Sequence, residues 1–188
     1  MPAIIAGKRK GAKLQVPEGL GVRPTLVRVR EALFSMLLSE FGTLEGCRIL
    51  DPFAGAGLLG LEAWSRGAAH LDFIEKDRTH FAFLKKNIAT LRAGEDVQAI
   101  QGATPDIWFK LEGRQYDIVL CDPPYAADLM PQTLNALLNR HLLRPSSIVS
   151  VELDAADNLE IPEGFDILKT RRYGKCQIVL LTVKPEVP

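Results

Sequence analysis

The sequence is poor in residues that bind metals or form disulfide bonds, with three cysteines and three histidines in 188 residues. Cys47, Cys121 and Cys176 are far apart, lie in apolar segments and show no metal-ligand spacing. We therefore expect reduced core cysteines and no metal site. Isolated histidines are more often structural than metal ligands. These absences predict a cytoplasmic protein.

Long apolar runs and internal repeats are also absent. No apolar stretch approaches the ~18 residues that a membrane-spanning helix requires, and the first residues contain no apolar targeting segment. A chain of 188 residues is long enough to bury a sizeable core in one domain. Nothing in the sequence requires an oligomer, so we expect a soluble monomer without membrane contact.

The net charge is zero over the whole chain but is unevenly distributed. Residues 1–30 contain seven basic residues and one acidic residue, a net charge of +6, which leaves −6 on the remainder. A second basic cluster lies near the end of the chain and consists of Lys169, Arg171, Arg172 and Lys175. This asymmetry favours a nucleic-acid surface on an acidic body, although a solvated basic tail would give the same pattern.

The first 42 residues differ in pattern from the rest. Residues 3–17 hold two short apolar runs around a basic turn bracketed by Gly7 and Gly11, which predicts a β-hairpin. A helix follows, for which Thr25 is the expected cap. From Arg48 onward, strands alternate with helices, and the last two strands are separated only by Gly174. The pattern predicts an α/β fold with a mostly parallel, doubly wound sheet and one antiparallel strand. We divide the chain into an appendage, 1–42, and a main domain, 43–188.

A glycine-rich loop, residues 51–60, joins the first sheet strand to its helix. Gly55, Gly57 and Gly60 have the spacing of a dinucleotide-binding loop, and Glu75 follows at the end of the next strand. A carboxylate there can accept hydrogen bonds from two ribose hydroxyls. The loop alone fits a nicotinamide enzyme or an S-adenosylmethionine enzyme. Asp51 favours the second, because a carboxylate attracts a sulfonium and repels a pyrophosphate. Each acidic residue taken alone has a simpler interpretation: Glu75 could be a surface charge, and Asp51 could be a charge at a helix N-terminus.

The segment Asp122-Pro123-Pro124-Tyr125 ends another apolar strand and is predicted to face the same crevice. Two prolines hold the loop rigid. The Asp122 carboxylate and the Pro123 carbonyl could accept the N–H groups of an exocyclic amine and stabilise the charge that develops on nitrogen during methyl transfer. Tyr125 offers a flat face on which a base can stack. An ordinary proline-rich turn is the simpler alternative.

With these motifs in view, nearly the whole chain resembles the RsmD family of small-subunit rRNA guanine-N2 methyltransferases. The matching stretches are residues 4–7, Arg23-Pro24-Thr25 with residues 28–34, residues 53–57 with 59–63, and residues 122–125. The second stretch is the most specific, since many amino-methyltransferases share the glycine loop and the Pro-Pro segment. Two departures stand out: Leu26-Val27 replaces a segment that usually contains an aspartate, and Gly102-Ala103 replaces a usual Asp or Asn before alanine.

The resemblance implies a class I (Rossmann-like) fold with a seven-stranded sheet, S-adenosyl-L-methionine as cofactor, and methylation of a guanine of 16S rRNA in the small ribosomal subunit. We expect three sets of site residues. The catalytic set is Asp122, Pro123, Pro124 and Tyr125. The cofactor set is Asp51, Phe53, Ala54, Gly55, Gly57, Glu75, Ala103 and Asp122. The RNA-binding set is Lys8, Arg9, Lys10, Arg23, Thr25 and Arg28.

Other functions remain open from the sequence. An adenine-N6 or protein-amide methyltransferase would also act on an NH2 group through the Pro-Pro segment. The lack of a separate target-recognition domain disfavours both, as does Asp122, in place of asparagine, for the amide. A different class would be a non-catalytic RNA-binding module or a nicotinamide-dependent oxidoreductase.

Overall fold

A computed structural model describes residues 1–18, 24–104, 106–124 and 126–185, with the side chains of 24–26 and 126–128 left out. The predictions for Arg23 and Tyr125 and for the side chain of Thr25 therefore lie outside the described part, as does Pro105, the predicted first residue of a short helix that ends at Leu111. The helices are α1 (Pro24–Phe41), α2 (Leu58–Ser65), α3 (Arg78–Leu91) and α4 (Ala126–Asn139). The strands are β1 (Arg48–Asp51), β2 (His70–Glu75), β3 (Val97–Gln101), β4 (Tyr116–Cys121), β5 (Leu143–Asp154), β6 (Phe165–Tyr173) and β7 (Cys176–Val183).

The seven strands form one sheet in the order β3-β2-β1-β4-β5-β7-β6. Strands β1 to β5 pair in parallel, whereas β7 is antiparallel to both of its neighbours, β5 and β6. The sheet order reverses between β1 and β4, which is where doubly wound sheets open a ligand crevice at the carboxyl ends of their strands. The predicted seven-stranded fold with one antiparallel strand is confirmed.

Hydrophobic side chains fill both faces of the sheet. One core cluster packs α1, α2, α3 and the N-terminal segment against alternate strand residues such as Ile49, Leu120 and Ile148. The second cluster packs α4 and a short 3-10 helix, Trp108–Leu111, against the opposite residues, such as Leu50 and Val119. Because side chains alternate along a strand, a residue at the end of a strand points to the same face as the residue two positions before it.

The N-terminal segment is a minimal hairpin with one bridge, between Ala3 and Lys13, in place of the predicted paired strands. Ile4 and Leu14 are buried in the same core cluster as the sheet and α1. The appendage and the main domain thus share one core, and their division near residue 43 stays a prediction. Helix α1 begins at Pro24, so Thr25 lies in its first turn rather than before it, which corrects the predicted cap.

Most predicted elements are present, and the differences lie at their ends. The sequence predicts a cap for α3 at Asp77 or Thr79, and the Asp77 side chain is the one that accepts a hydrogen bond, from the His80 N–H. The same helix ends at Leu91 with Arg92 in the left-handed region (φ 51°), and not at Gly94, where the sequence pattern predicts its end. Helix α4 begins at Ala126, three residues before Leu129, where the pattern predicts its start. Within the described residues, no helix is long and apolar enough to span a membrane.

Candidate active site

Four carboxylates stand at the carboxyl ends of neighbouring parallel strands, on the face that packs against α1, α2 and α3. Asp51 ends β1, Glu75 ends β2, Asp122 follows β4, and Glu152 lies near the end of β5. Each lies an even number of positions from a strand residue of the first core cluster and so points to the same face of the sheet. Asp51 is two residues after Ile49, and Asp122 is two residues after Leu120. The structure therefore brings the predicted acidic residues together at one edge, and it adds Glu152.

The glycine loop between β1 and α2 is shaped by two left-handed glycines. Gly55 has φ 54° and Gly57 has φ 86°, values that side chains beyond glycine rarely adopt. A Cβ on Gly57 would lie 2.6 Å from Leu84 Cδ1, whereas a Cβ on Gly55 would meet no atom within 4 Å. The loop is thus packed against α3 on one side and open at Gly55, so a ligand can approach its backbone.

Glu75 fixes this loop to the neighbouring strand. Its Oε2 accepts a hydrogen bond from the Gly55 N–H at 2.6 Å, and its Oε1 accepts one from the Asp77 N–H at 2.7 Å. The side chain is buried. A carboxylate offers about four lone pairs, so two remain for ligand hydroxyl groups. Glu75 can therefore anchor the loop and accept ribose hydroxyls at the same time.

Asp51 lies beneath the loop and is only 2% exposed. Its Oδ2 accepts a hydrogen bond from the Gly60 N–H at 3.1 Å, in the first turn of α2. This contact matches the alternative interpretation, a charge at a helix N-terminus. Burial, followed by the nearby charge of Asp122, raises the pKa of Asp51 to about 8. Asp51 therefore supports the loop from below, and its predicted contact with the cofactor stays a prediction.

Asp122 begins the loop after β4, and its side chain is exposed. It nevertheless has a raised pKa, because the surrounding protein of the crevice desolvates its charge. A group on the floor of an open cleft combines these two properties. Pro123 is buried and Pro124 is exposed, so the first proline holds the loop against the protein. The predicted catalytic carboxylate is accessible to a substrate.

The remaining predicted cofactor residues border the same loop. Ala54 is buried and donates its N–H to the Ile74 carbonyl at 3.0 Å, and Phe53 is half-buried against the second core cluster. After β3, the Gly102 N–H donates to the Glu75 carbonyl at 3.0 Å, which places Ala103 next to the Glu75 strand end. A Cβ on Gly102 would lie 2.4 Å from Ile107 Cδ1. Ile107 thus occupies the space of the side chain that Gly102 lacks.

The basic turn Lys8-Arg9-Lys10 lies at the other end of α2. Its backbone is held by Ser65, the last residue of α2: the Lys8 N–H donates to the Ser65 carbonyl at 2.7 Å, and the Arg9 N–H to Ser65 Oγ at 2.9 Å. A Cβ on Gly7 would lie 1.8 Å from the Ser65 carbonyl oxygen, so only glycine permits this contact. The structure does not bring the turn beside Asp122.

Other basic residues lie on α1 and in the turn between β6 and β7. Arg28 is exposed in the first half of α1, and Arg30 is buried, donating from Nη2 to the Ala3 carbonyl at 2.6 Å. The turn between β6 and β7, which contains Lys175, lies at the same sheet edge as the end of β5, since the Ala155 N–H donates to the Lys175 carbonyl at 2.7 Å. The RNA-binding roles stay predictions.

Sequence reasoning missed the roles of three polar residues, the buried Arg30 and Asn87 and the half-buried Glu152. Asn87 is fully buried and connects the N-terminal segment to the glycine loop, as its side chain binds both Gln15 and Ala56. Glu152 interrupts an apolar strand, and that was its only signal in the sequence. In the described part of the chain, no three acidic, histidine or cysteine side chains are grouped to hold a metal.

These features fit S-adenosylmethionine. The open backbone at Gly55, the free lone pairs of Glu75 and an accessible Asp122 lie along one crevice, and several carboxylates suit a cationic sulfonium better than a pyrophosphate. The glycine spacing alone fits both cofactors, and the adjoining carboxylates distinguish this loop from a nicotinamide site.

Known proteins agree with this geometry. The chain is 36% identical to ribosomal RNA small subunit methyltransferase D of Haemophilus influenzae over 91% of this chain and 88% of the relative. It is also 36% identical to the enzyme of the same name from Escherichia coli K12, over 92% and 85%. The solved structure of Escherichia coli yhhF superposes with a TM-score of 0.84 at 34% identity, covering 98% of this chain and 99% of that chain.

The fold, the crevice and these relatives define a class I methyltransferase that uses S-adenosylmethionine. The family model described as "Conserved hypothetical protein 95" matches residues 3–182. The chain belongs to this family, the RsmD family that the sequence motifs indicated. The choice of a methyl donor over a nicotinamide is confirmed, and so is an enzyme over a binding module.

Proposed function

We propose that this enzyme transfers a methyl group from S-adenosylmethionine to the exocyclic N2 amine of a guanine in 16S rRNA of the small ribosomal subunit. The observation that carries the proposal is the exposed Asp122 carboxylate, placed beyond β4 on the same face as the Glu75-anchored glycine loop. The names of the relatives support the rRNA substrate. The resemblance to RsmD supports guanine N2.

The chemical task is to make a poor nucleophile reactive. The lone pair of an exocyclic amine is delocalised into the ring, and bound S-adenosylmethionine supplies an electrophilic methyl group. Asp122 Oδ and the Pro123 carbonyl accept the two N–H bonds and orient the nitrogen. Their negative charge stabilises the positive charge that grows on nitrogen, so they bind the transition state more tightly than the substrate. Buried Pro123 fixes the second acceptor.

Methylation also leaves one excess proton on the amine. Asp122 is the acceptor closest to that nitrogen in this arrangement, and desolvation raises its pKa. A raised pKa makes the carboxylate a better proton acceptor at neutral pH than an exposed aspartate would be. Because the side chain is exposed, the proton can leave to solvent after transfer.

The RNA would approach along α1 and the N-terminal segment. Exposed Arg28 in the first half of α1 would bind a phosphate, with Arg23 and Thr25 preceding it in sequence. The Lys8–Lys10 turn, at the far end of α2, would contact phosphates one helix length away. Residues 1–42 then form the RNA-binding part, and Tyr125 would stack on the target base. We propose that the enzyme acts as a cytoplasmic monomer.

The test is transfer of labelled methyl groups to small subunits that lack the modification, followed by mass spectrometry of the rRNA nucleosides. We expect N2-methylguanosine with the wild-type enzyme. Replacing one preorganised acceptor typically costs about 10²–10³-fold in rate, so Asp122→Ala should lose at least that much transfer. The variant should keep its unfolding temperature, because Asp122 lies in an exposed loop.

Asp166→Asn is a matched control, since Asp166 is an exposed aspartate at the start of β6, at the opposite edge of the sheet. It should retain full transfer. Methylation of adenine, or of no nucleoside, would contradict the proposed specificity. Full turnover by Asp122→Ala would contradict the role assigned to Asp122.

A further inference from the structure

Glu152 lies next to Asp122 across the strand pair β4–β5. Cys121 pairs with Val151 in the parallel register, so Asp122 and Glu152 are the next residues along the two strands. Adjacent strands lie ~4.8 Å apart. Cys121 and Val151 point into the second core cluster, so alternation turns Asp122 and Glu152 to the opposite face, towards α1. The two carboxyl groups therefore border the same part of the crevice.

Arg30 of α1 lies close enough to Glu152 for the two charges to interact. It is 6% exposed, and among the described residues its Nε has no hydrogen-bond partner. Burial, followed by the charge of Asp122, raises the pKa of Glu152 to about 8, and the positive charge of Arg30 opposes this shift. Burial also raises the pKa of the Cys176 thiol in β7, with a further contribution from the Glu152 charge. Glu152 has no hydrogen bond or ion pair within the described part of the chain, so its oxygens remain for a ligand.

Position in the crevice determines what Glu152 would meet. Glu152 is on the β5 side of Asp122, away from the glycine loop, which adjoins β1 and β2. The target base, rather than the cofactor, would occupy that side. On guanine, the N1–H donor is adjacent to the N2 amine, whereas the corresponding ring nitrogen of adenine or cytosine is an acceptor. A carboxylate beside Asp122 would attract the N1–H of guanine and repel the ring-nitrogen acceptors of adenine and cytosine.

We infer that Glu152 is the specificity-determining residue that accepts the N1–H of the target guanine while Asp122 and Pro123 hold its N2 amine. This inference rests on the proposed guanine-N2 activity and extends it to the recognition of the base. The acceptor is the carboxylate form, with Asp122, Arg30 and Cys176 as the charged or titratable groups that face it. Recognition should therefore strengthen as pH rises through the raised pKa of Glu152.

The test uses 2-aminopurine, which has the C2 amine but an acceptor at N1. Small subunits are reconstituted with 16S rRNA in which the guanosine methylated by the wild-type enzyme is replaced by 2-aminopurine. The wild-type enzyme should strongly prefer guanine. In Glu152→Gln, the amide can accept from N1–H or donate to N1, so the ratio of kcat/KM for guanine over 2-aminopurine should fall about 10- to 100-fold.

Much of that fall should come from a rise in 2-aminopurine methylation, which structural damage would not produce. Asp166→Asn, remote from the crevice, should keep the wild-type ratio. If the wild-type enzyme methylates guanine N2 and Glu152→Gln keeps the wild-type ratio, the role of Glu152 is wrong and the proposed function stands. If the wild-type enzyme leaves guanine N2 unmethylated, both are wrong.

Discussion

Asn87 should be a structural link between the N-terminal segment and the cofactor loop. Its Oδ1 accepts from the Gln15 N–H, and its Nδ2 donates to the carbonyls of Gln15 and Ala56, each at 2.8 Å. The side chain has no exposed surface. Asn87→Ala would remove three hydrogen bonds and leave their backbone partners, which are buried or half-buried, unpaired.

The expected loss follows from these contacts. Each of the three hydrogen bonds contributes about 0.5–1.5 kcal/mol, and the better helix propensity of alanine offsets about 0.5 kcal/mol, so the free energy of unfolding should fall by about 1–4 kcal/mol. For a chain of this size, that corresponds to a decrease in Tm of about 2–16 °C. Because Ala56 belongs to the glycine loop, affinity for S-adenosylhomocysteine should fall too.

Thermal unfolding and calorimetry with S-adenosylhomocysteine measure both effects. Asn135→Ala is the matched control, since Asn135 is an exposed helical asparagine with one local bond, from its Nδ2 to the Pro131 carbonyl. Asn87→Asp is nearly isosteric but points a carboxylate at two carbonyls, so it should destabilise at least as much as alanine. An Asn87→Ala protein that matches the Asn135→Ala protein in Tm and ligand affinity would refute the link.

Two further variants test the buried acid and the basic turn. Asp51 has a pKa of about 8 in the folded protein and about 3.9 when unfolded, so the folded state binds more protons between these values and loses stability as pH rises through them. Asp51→Asn should therefore flatten the dependence of Tm on pH, with its gain over wild type rising up to about pH 8 and constant above it; parallel curves would contradict this. Replacing Lys8, Arg9 and Lys10 by alanine should weaken binding to small subunits and reduce the salt slope by up to about 2–3 units, with cofactor affinity unchanged. Equal RNA affinity would leave the turn as a solvated tail.

Local rules predicted most of the fold because they act over a few residues. Apolar periodicity located the strands, Asp77 had the side chain of a helix cap, and Gly174 marked the turn between the two antiparallel strands. Their ends were less predictable. Arg92 closes α3 in a left-handed conformation that a sequence rule assigns to glycine, since tertiary packing can offset that small local cost.

The site shows the same division. The sequence identified Gly55, Gly57, Glu75 and Asp122 because they follow recognisable strands, and parallel strands bring their ends to one edge. It offered two roles for Asp51, a cofactor contact and a charge at a helix N-terminus, and did not reveal that the side chain would bind the Gly60 N–H of α2, since alternation along a strand fixes a face but not a hydrogen-bond partner. Nor did it show that the Lys8–Lys10 turn would dock at the end of α2, through a contact 56 residues away between Arg9 and Ser65.

By itself, then, the sequence predicted the class I fold and the methyl donor, through its strand pattern, the acidic residues beside the glycine loop and the resemblance of its motifs to the RsmD family. The action of residues 122–125 on an NH2 group stays a prediction. Only the tertiary structure could place Glu152 beside Asp122 and Arg30 near Glu152. Those neighbours come from β5 and α1, and their meeting depends on strand order and register, which no local spacing encodes. The proposed reacting carboxylate thus lies in one short segment, while the residues that we propose to select its base are brought together by the fold.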